Sequence, residues 1–209
     1  MLKKYLLIAT ALVGTTLGAS TAHASYTPTV RTAILDFHGS FDFCLDSMRE
    51  AALQAGFREL DIDSNDVEGR YKNFRAEIIC LEDHRVVVIV SGWSAHDGGQ
   101  LRDLLVRTIE GNSSRTVTPI SGMKEWAPTI RTRILDTNAS MNECLGDVFR
   151  AMSDAGVREL DVDSNDVEGW RGYIGVETIC LGDQILVIAS SLDSSDAGRL
   201  RDRIADDLR

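Results

Sequence analysis

The chain has 209 residues, of which 44% are hydrophobic and 26% charged, and its formal net charge is −10. An acidic surface repels phosphate backbones and anionic lipid headgroups, which argues against nucleic acid and anionic membranes as partners and favours cations or basic proteins.

The first segment pairs Lys3 and Lys4 with an apolar run from about Leu6 to Leu17, followed by Ala22-His23-Ala24. This is the layout of a secretory leader covering residues 1–24, with the mature chain starting near Ser25. The run is too short, and too broken by Thr and Gly, to span a bilayer, and no later segment is apolar enough to do so. Removing the leader takes away two lysines and no acid, which leaves the remainder still more acidic. The expected compartment is the periplasm or the extracellular space.

From Tyr26 onward the chain repeats itself. "YTPTVRTAILD" at Tyr26 returns as "WAPTIRTRILD" at Trp126, and "RELDIDSNDVEG" at Arg58 returns as "RELDVDSNDVEG" at Arg158. Two units follow, residues 25–110 and 126–209, joined by a Gly/Ser/Thr-rich segment over 111–125. At about 84 residues each, a unit has room for one small core.

Within each unit the periodicity predicts a strand over "VRTAILDF". A helix comes next, with Phe41, Leu45, Met48, Ala52 and Ala55 on one face and Met141, Leu145, Val148, Met152 and Ala155 in the second copy. Ser40 and Ser140 suit the N-caps, and Gly56 and Gly156 the C-terminal caps. A short strand passes through Leu60 and Ile62, followed by a turn at Ser64-Asn65-Asp66, with Gly69 supplying a positive φ or a bulge. "FRAEIICL" and "RVVVIVSG" are strands, as are "IGVETICL" and "QILVIASS". A closing helix carries Leu101, Leu104 and Leu105, or Ala197, Leu200 and Ile204, with Ser94 and Asp97 placed as a cap. The expected fold is α+β: two tandem β-α-β-β-β-α repeats, each a two-layer sandwich of an antiparallel sheet and two helices.

Each unit places one cysteine on its helix and one on a strand, 36 residues apart both times, at Cys44 and Cys80 and at Cys144 and Cys180. In an exported chain an even count means disulfides, and the equal spacing favours pairing within each unit among the three connectivities. A four-cysteine metal site lacks its close C-x-x-C pairs. The pattern of Cys44, Gly56-Phe57, Val67-Glu68-Gly69, Ile78-Ile79-Cys80 and the apolar Val86–Val90 resembles a group of small exported bacterial proteins of unknown function, with departures in the second copy at Val157 and Thr178. The resemblance implies the fold and a helix–strand disulfide, and no chemistry.

The acidic segment admits three roles. As a strand and turn, its carboxylates need only water, with Arg70, Lys72 and Arg75 as balancing charges in the first copy and mainly Arg171 in the second. As a divalent-cation site for an ion such as calcium, it offers Asp61, Asp63, Asp66 and Glu68, and Asp161, Asp163, Asp166 and Glu168. The EF-hand match at Asp61, Asp63 and Asn65 fails at Asp66, where Gly belongs, and at Lys72 and Gly172, where Glu belongs. As a docking surface it suits a basic partner.

An enzyme would have to use His38, His84 and His96, all in the first unit, with Asn138, Gln184 and Ser195 in their places in the second. The Gly98-Gly99 helix start is a weak anion signal. No nucleophile elbow, H-E-x-x-H helix or P-loop is present. Trp93, Trp126 and Trp170 are contact candidates. These features point to an exported, disulfide-stabilised, non-enzymatic binding or interaction protein without a cofactor, with the cleft between units as its default site. A divalent-cation binder and a histidine enzyme are the alternatives.

Overall fold

The computed structural model describes residues 27–111 and 126–209. The expected leader and nearly all of the expected joining segment lie outside them. Unit 1 runs β1 (Thr29–Asp36), α1 (Phe41–Gln54), β2 (Arg58–Ile62), β3 (Asp66–Tyr71), β4 (Phe74–Cys80), β5 (Arg85–Gly92) and α2 (Ala95–Ile109). Unit 2 repeats the series as β6 (Thr129–Asp136), α3 (Met141–Asp154), β7 (Arg158–Val162), β8 (Asp166–Arg171), β9 (Ile174–Cys180), β10 (Gln184–Ser191) and α4 (Ser194–Asp207). Each sheet is antiparallel, with strand order β1-β5-β4-β3-β2 or β6-β10-β9-β8-β7.

The fold class is as expected, with one strand more per unit. Asp66 does not belong to the turn: it opens β3, which pairs with β4 from Asp66↔Ile79 to Tyr71↔Phe74. The turn itself is tighter. The Asp63 carboxylate accepts from the Ser64 N–H at 2.7 Å, and the Asp63 N–H donates to the Asp66 carbonyl at 3.1 Å. Gly69 also plays a different part, because it sits inside β3 without a positive φ. A Cβ there would lie 2.6 Å from the Leu60 side chain, and at Gly169 it would lie 2.8 Å from the Arg158 carbonyl oxygen. Glycine is needed at these positions for close approach. The bulge lies on the facing strand, between Arg58 and Asp61, where Glu59 takes a φ of 53°. That bulge breaks the alternation, so Leu60 packs on the core while Ile62 stays 46% exposed.

The helices form and end as their sequences dictate. Ser40 Oγ accepts from the Phe43 N–H at 3.3 Å, and the Ser140 N–H donates to the Glu143 carboxylate at 3.0 Å. At the far end of α1 the Gly56 N–H donates to the Leu53 carbonyl and the Phe57 N–H to the Ala52 carbonyl, around a Gly56 φ of 93°. This is a Schellman closure, and it carries Phe57 into the core, fully buried. Gly156 and Val157 close α3 in the same way. The disulfides Cys44–Cys80 and Cys144–Cys180 then tie each first helix to a central strand, with Cα atoms 6.3 and 6.2 Å apart. Such bonds persist in an oxidising compartment.

Helices cover one face of each sheet. The other faces are not left to solvent; they pack on each other. Val30, Ile79, Leu81, Val87 and Ile89 meet Ile130, Ile179, Leu181, Leu186 and Ile188 in a core built equally by both units. Each such side chain contributes roughly 2 kcal/mol when withdrawn from water. The molecule is thus four layers: helices, sheet, sheet, helices. Across the inner core the Ser91 and Ser190 hydroxyls bond at 2.6 Å, and the Arg85 guanidinium donates to the Leu181 carbonyl at 2.7 Å. Among the described residues no helix is long and apolar enough to cross a membrane.

Candidate functional site

An open cleft along the middle of the unit boundary is not what forms, because the inner core fills it. The space lies at the rim. Edge strand β1 rests against β9, and edge strand β6 against β4. Since β8 and β7 follow β9 in their sheet, they extend past the β1 edge of unit 1.

Under that overhang lie two adjoining cavities of about 250 and 290 Å³ that share Val30, Arg31, Glu168 and Glu177. The first is walled by Thr27 to Arg31 of one unit and by Trp170, Gly175 and Val176 of the other. The second gathers Asp161, Asp163, Asp166, Glu168 and Glu177 opposite Thr32, Arg31 and Arg102. Five carboxylates thus share a groove with two guanidinium groups supplied by the other unit.

The arginines are positioned, not loose. Arg102 reaches the Asp103 carboxylate through Nε at 2.9 Å and the Thr32 carbonyl through a terminal nitrogen at 3.2 Å. Arg31 passes Gly98, where an added Cβ would sit 3.8 Å from its Cγ, and its guanidinium comes 3.7 Å from the Glu168 carboxylate.

Two residues unremarked in the sequence, Glu77 and Glu177, lie at the unit boundary and keep only 2% and 5% of their surface. Each is held by a threonine of the opposite unit: the Thr132 hydroxyl donates to Glu77 at 2.5 Å, and the Thr32 hydroxyl donates to Glu177. Burial pushes the Glu77 carboxyl up to about 7; the Thr132 hydrogen bond opposes this and the Glu68 and Asp66 charges reinforce it. Burial likewise brings Glu177 to about 7, against Thr32 and with the Asp166 and Glu168 charges. The second oxygen of Glu77 is buried without a hydrogen-bond partner among the described residues. A signal was present in the sequence, since Thr32/Thr132 and Glu77/Glu177 are pairs that survive in both copies.

The acids singled out from the sequence divide. Asp61, Asp63, Asp161 and Asp163 are exposed, whereas Asp66, Glu68, Asp166 and Glu168 are half-buried. Burial and the Glu68, Asp63 and Asp61 charges raise Asp66 to about 6, and burial with the corresponding acids raises Asp166. Among the described residues no three His, Cys, Asp or Glu side chains are grouped closely enough to hold a metal ion.

The histidines are not brought together. His84 precedes β5 and His96 follows it, and a strand of 8 residues separates its ends by roughly 25 Å. His38 lies at the His84 end, next to Phe37, whose N–H donates to the His84 carbonyl. Of the tryptophans, Trp126 is 68% exposed and Trp170 38% exposed, with Trp170 on the groove. The half-buried Trp93 donates to the Trp126 carbonyl at 3.0 Å.

The two copies differ at the groove in a way that bears on its use. In unit 1 the Arg75 guanidinium forms an ion pair with Glu68, both largely buried. The counterpart of Arg75 in unit 2 is Gly175, and that of Arg70 is Trp170. Glu168 therefore has no guanidinium from its own sheet at that place. In addition, a Cβ at position 175 would lie 2.4 Å from the Pro28 carbonyl oxygen, so no larger residue fits there without moving unit 1.

No family model and no curated protein matches the chain. Among solved structures it is similar to the di-domain ARO/CYC StfQ from the steffimycin biosynthetic pathway, at 8% identity and a TM-score of 0.26, over 82% of this chain and 87% of that one. It is also similar to DynU16 from the dynemicin biosynthetic locus, at 11% identity and a TM-score of 0.21, over 84% of this chain and 93% of that one. Likenesses at these scores carry no inference about chemistry.

Proposed function

We propose that this is an exported, non-enzymatic binding protein whose site is the groove where unit 2 overhangs the β1 edge of unit 1, and that its ligand is cationic. The observation that carries this is the lining: among the described residues, Asp161, Asp163, Asp166, Glu168 and Glu177 line one groove, opposed by only Arg31 and Arg102. A net negative charge on the whole chain steers cations toward it. The disulfides, the leader-like start and the resemblance to small exported bacterial proteins support a place outside the cytoplasm. Both units are needed for the site, which gives the duplication a use beyond stability.

Titration calorimetry with a basic and an acidic octapeptide tests this. The basic peptide is expected to bind, with affinity that falls steeply as salt rises, because surface attraction is screened over about 10 Å at 0.1 M. Asp163→Asn with Asp166→Asn should weaken it. Equal binding of the two peptides, or none of either, would show the groove reading to be wrong.

A further inference from the structure

We infer that the groove takes a guanidinium group, with the Glu168 carboxylate as its anion and the Trp170 indole as the surface it stacks on. This rests on the cationic-groove reading above and names its ligand.

The template is inside the molecule. Unit 1 and unit 2 share the register that sets residue 68 beside 77 and 70 beside 75, and residue 168 beside 177 and 170 beside 175. In unit 1 the carboxylate at this place, Glu68, already holds a guanidinium, that of Arg75, with side-chain exposures of only 20% and 25%. Unit 2 keeps the carboxylate and drops the arginine. The Pro28 backbone lies against Gly175, and beside it is a cavity of about 250 Å³ with Glu168, Trp170 and Gly175 on its wall.

Gly175 cannot be read as a mere deletion of bulk, since the Pro28 carbonyl approaches it too closely for any side chain to grow from that position. A cation that reaches Glu168 at this point therefore cannot grow from position 175; it comes from across the unit boundary or from outside the molecule. Arg31, the one cation among the described residues that pairs with Glu168, stands 3.7 Å off and forms an ion pair without a close hydrogen bond. The second substitution favours a planar cation. Trp170 stands where unit 1 has Arg70, two residues along the strand from Glu168 and on the same face. A carboxylate beside an indole suits a guanidinium better than an ammonium, because the planar fork pairs with the carboxylate while its face lies on the ring. The volume admits one such group with part of its alkyl stem. The guanidinium can belong to an arginine side chain of a polypeptide or to a free guanidino compound.

The test uses the oxidised full chain and calorimetry with Nα-acetyl-arginine amide, Nα-acetyl-lysine amide and a tripeptide with a central arginine. The arginine amide is expected to bind about tenfold tighter than the lysine amide. Glu168→Gln should weaken arginine binding by about tenfold or more, with Glu168→Asp in between, and Trp170→Leu by several-fold. Glu68→Gln should change nothing, since that carboxylate is engaged by Arg75. Tripeptide binding as tight as that of the amide assigns the source to a polypeptide side chain; tight amide and weak tripeptide binding assigns it to a free compound. Equal affinity for the arginine and lysine amides overturns the guanidinium inference and leaves the cationic groove standing. Arginine binding that survives Glu168→Gln overturns the placement. Absence of binding by both amides overturns the inference, and failure of the basic octapeptide as well removes the groove reading beneath it.

Discussion

Raising the pH from about 5 to 8 is expected to destabilise the folded protein by several kcal/mol, and Gln at positions 77 and 177 is expected to remove most of that loss. Both glutamates sit at the boundary between the sheets with carboxyls at about 7, against an ordinary value of 4.5. Between those values the folded state holds protons that the unfolded chain has released. The contribution is therefore fully present below about 4.5 and is lost as pH rises through 7. For groups this buried the shift corresponds to on the order of 3 kcal/mol each. The raised carboxyls of Asp66 and Asp166 act in the same sense. Asp83, held below its ordinary value by the Arg85 hydrogen bond, acts oppositely and only in acid. Urea unfolding at pH 5, 6.5 and 8 measures the slope. Glu77→Gln with Glu177→Gln should flatten it and be more stable than the parent at pH 8. A parent whose stability is level from 5 to 8, or a variant that keeps the parent slope, would contradict the assignment.

The second large effect is expected from the disulfides. Each closes a loop with a sequence separation of 36 residues inside a unit whose own core is small. By the loop-entropy estimate such a bond contributes about 4 kcal/mol. Cys44→Ala with Cys80→Ala should lower the thermal midpoint by about 10 °C, as should Cys144→Ala with Cys180→Ala, given the usual 2–4 °C per kcal/mol for a body of this size. All four cysteines are 4% exposed or less, so part of any loss is packing. Comparison with the reduced parent, which keeps every sulfur, separates the two. A drop below about 2 °C on reduction would show that the helix–strand tie contributes little.

Much of this architecture was legible in the residues. The helical stripes through Leu45, Met48, Ala52 and Ala55 and their counterparts marked α1 and α3, although Phe41 and Met141, which began those stripes, lie exposed and Cys44 and Cys144 take the buried place; the equal cysteine spacing marked the pairing. The β3 strand was hidden because its alternation from Val67 to Tyr71 runs through Gly69, whose lack of a side chain erases one apolar position, and because Asp66, Glu68 and Arg70 on its other face are charged. The face-to-face docking had a signal of its own. An unbroken apolar run at Val86–Val90 means a strand covered on both faces, where a half-exposed strand would alternate. "FRAEIIC" disguised this by placing Arg75 and Glu77 where a solvent face would be: Arg75 is paired with Glu68 of its own sheet, and Glu77 with Thr132 of the opposite unit. The groove left no local trace at all. Its walls come from residues 27–32 and 161–177, and nothing along the chain records that one overhangs the other. Balancing the second acidic hairpin from within its own unit pointed to Arg171, whereas the compensating charges come from Arg31 and Arg102 across the boundary.

The face-to-face docking of the two units underlies both the buried glutamates and the groove, and one substitution pair tests it directly. Ser91 and Ser190 lie on different units with hydroxyls 2.6 Å apart, both buried. Side-chain tips that approach this closely can bring two sulfurs to the roughly 2 Å of a disulfide bond with a small side-chain adjustment. In Ser91→Cys with Ser190→Cys, mass spectrometry of an unreduced digest should find a third disulfide linking peptides of the two units. Two unlinked thiols that react with a thiol reagent in the absence of denaturant would mean that the sheets do not meet as described.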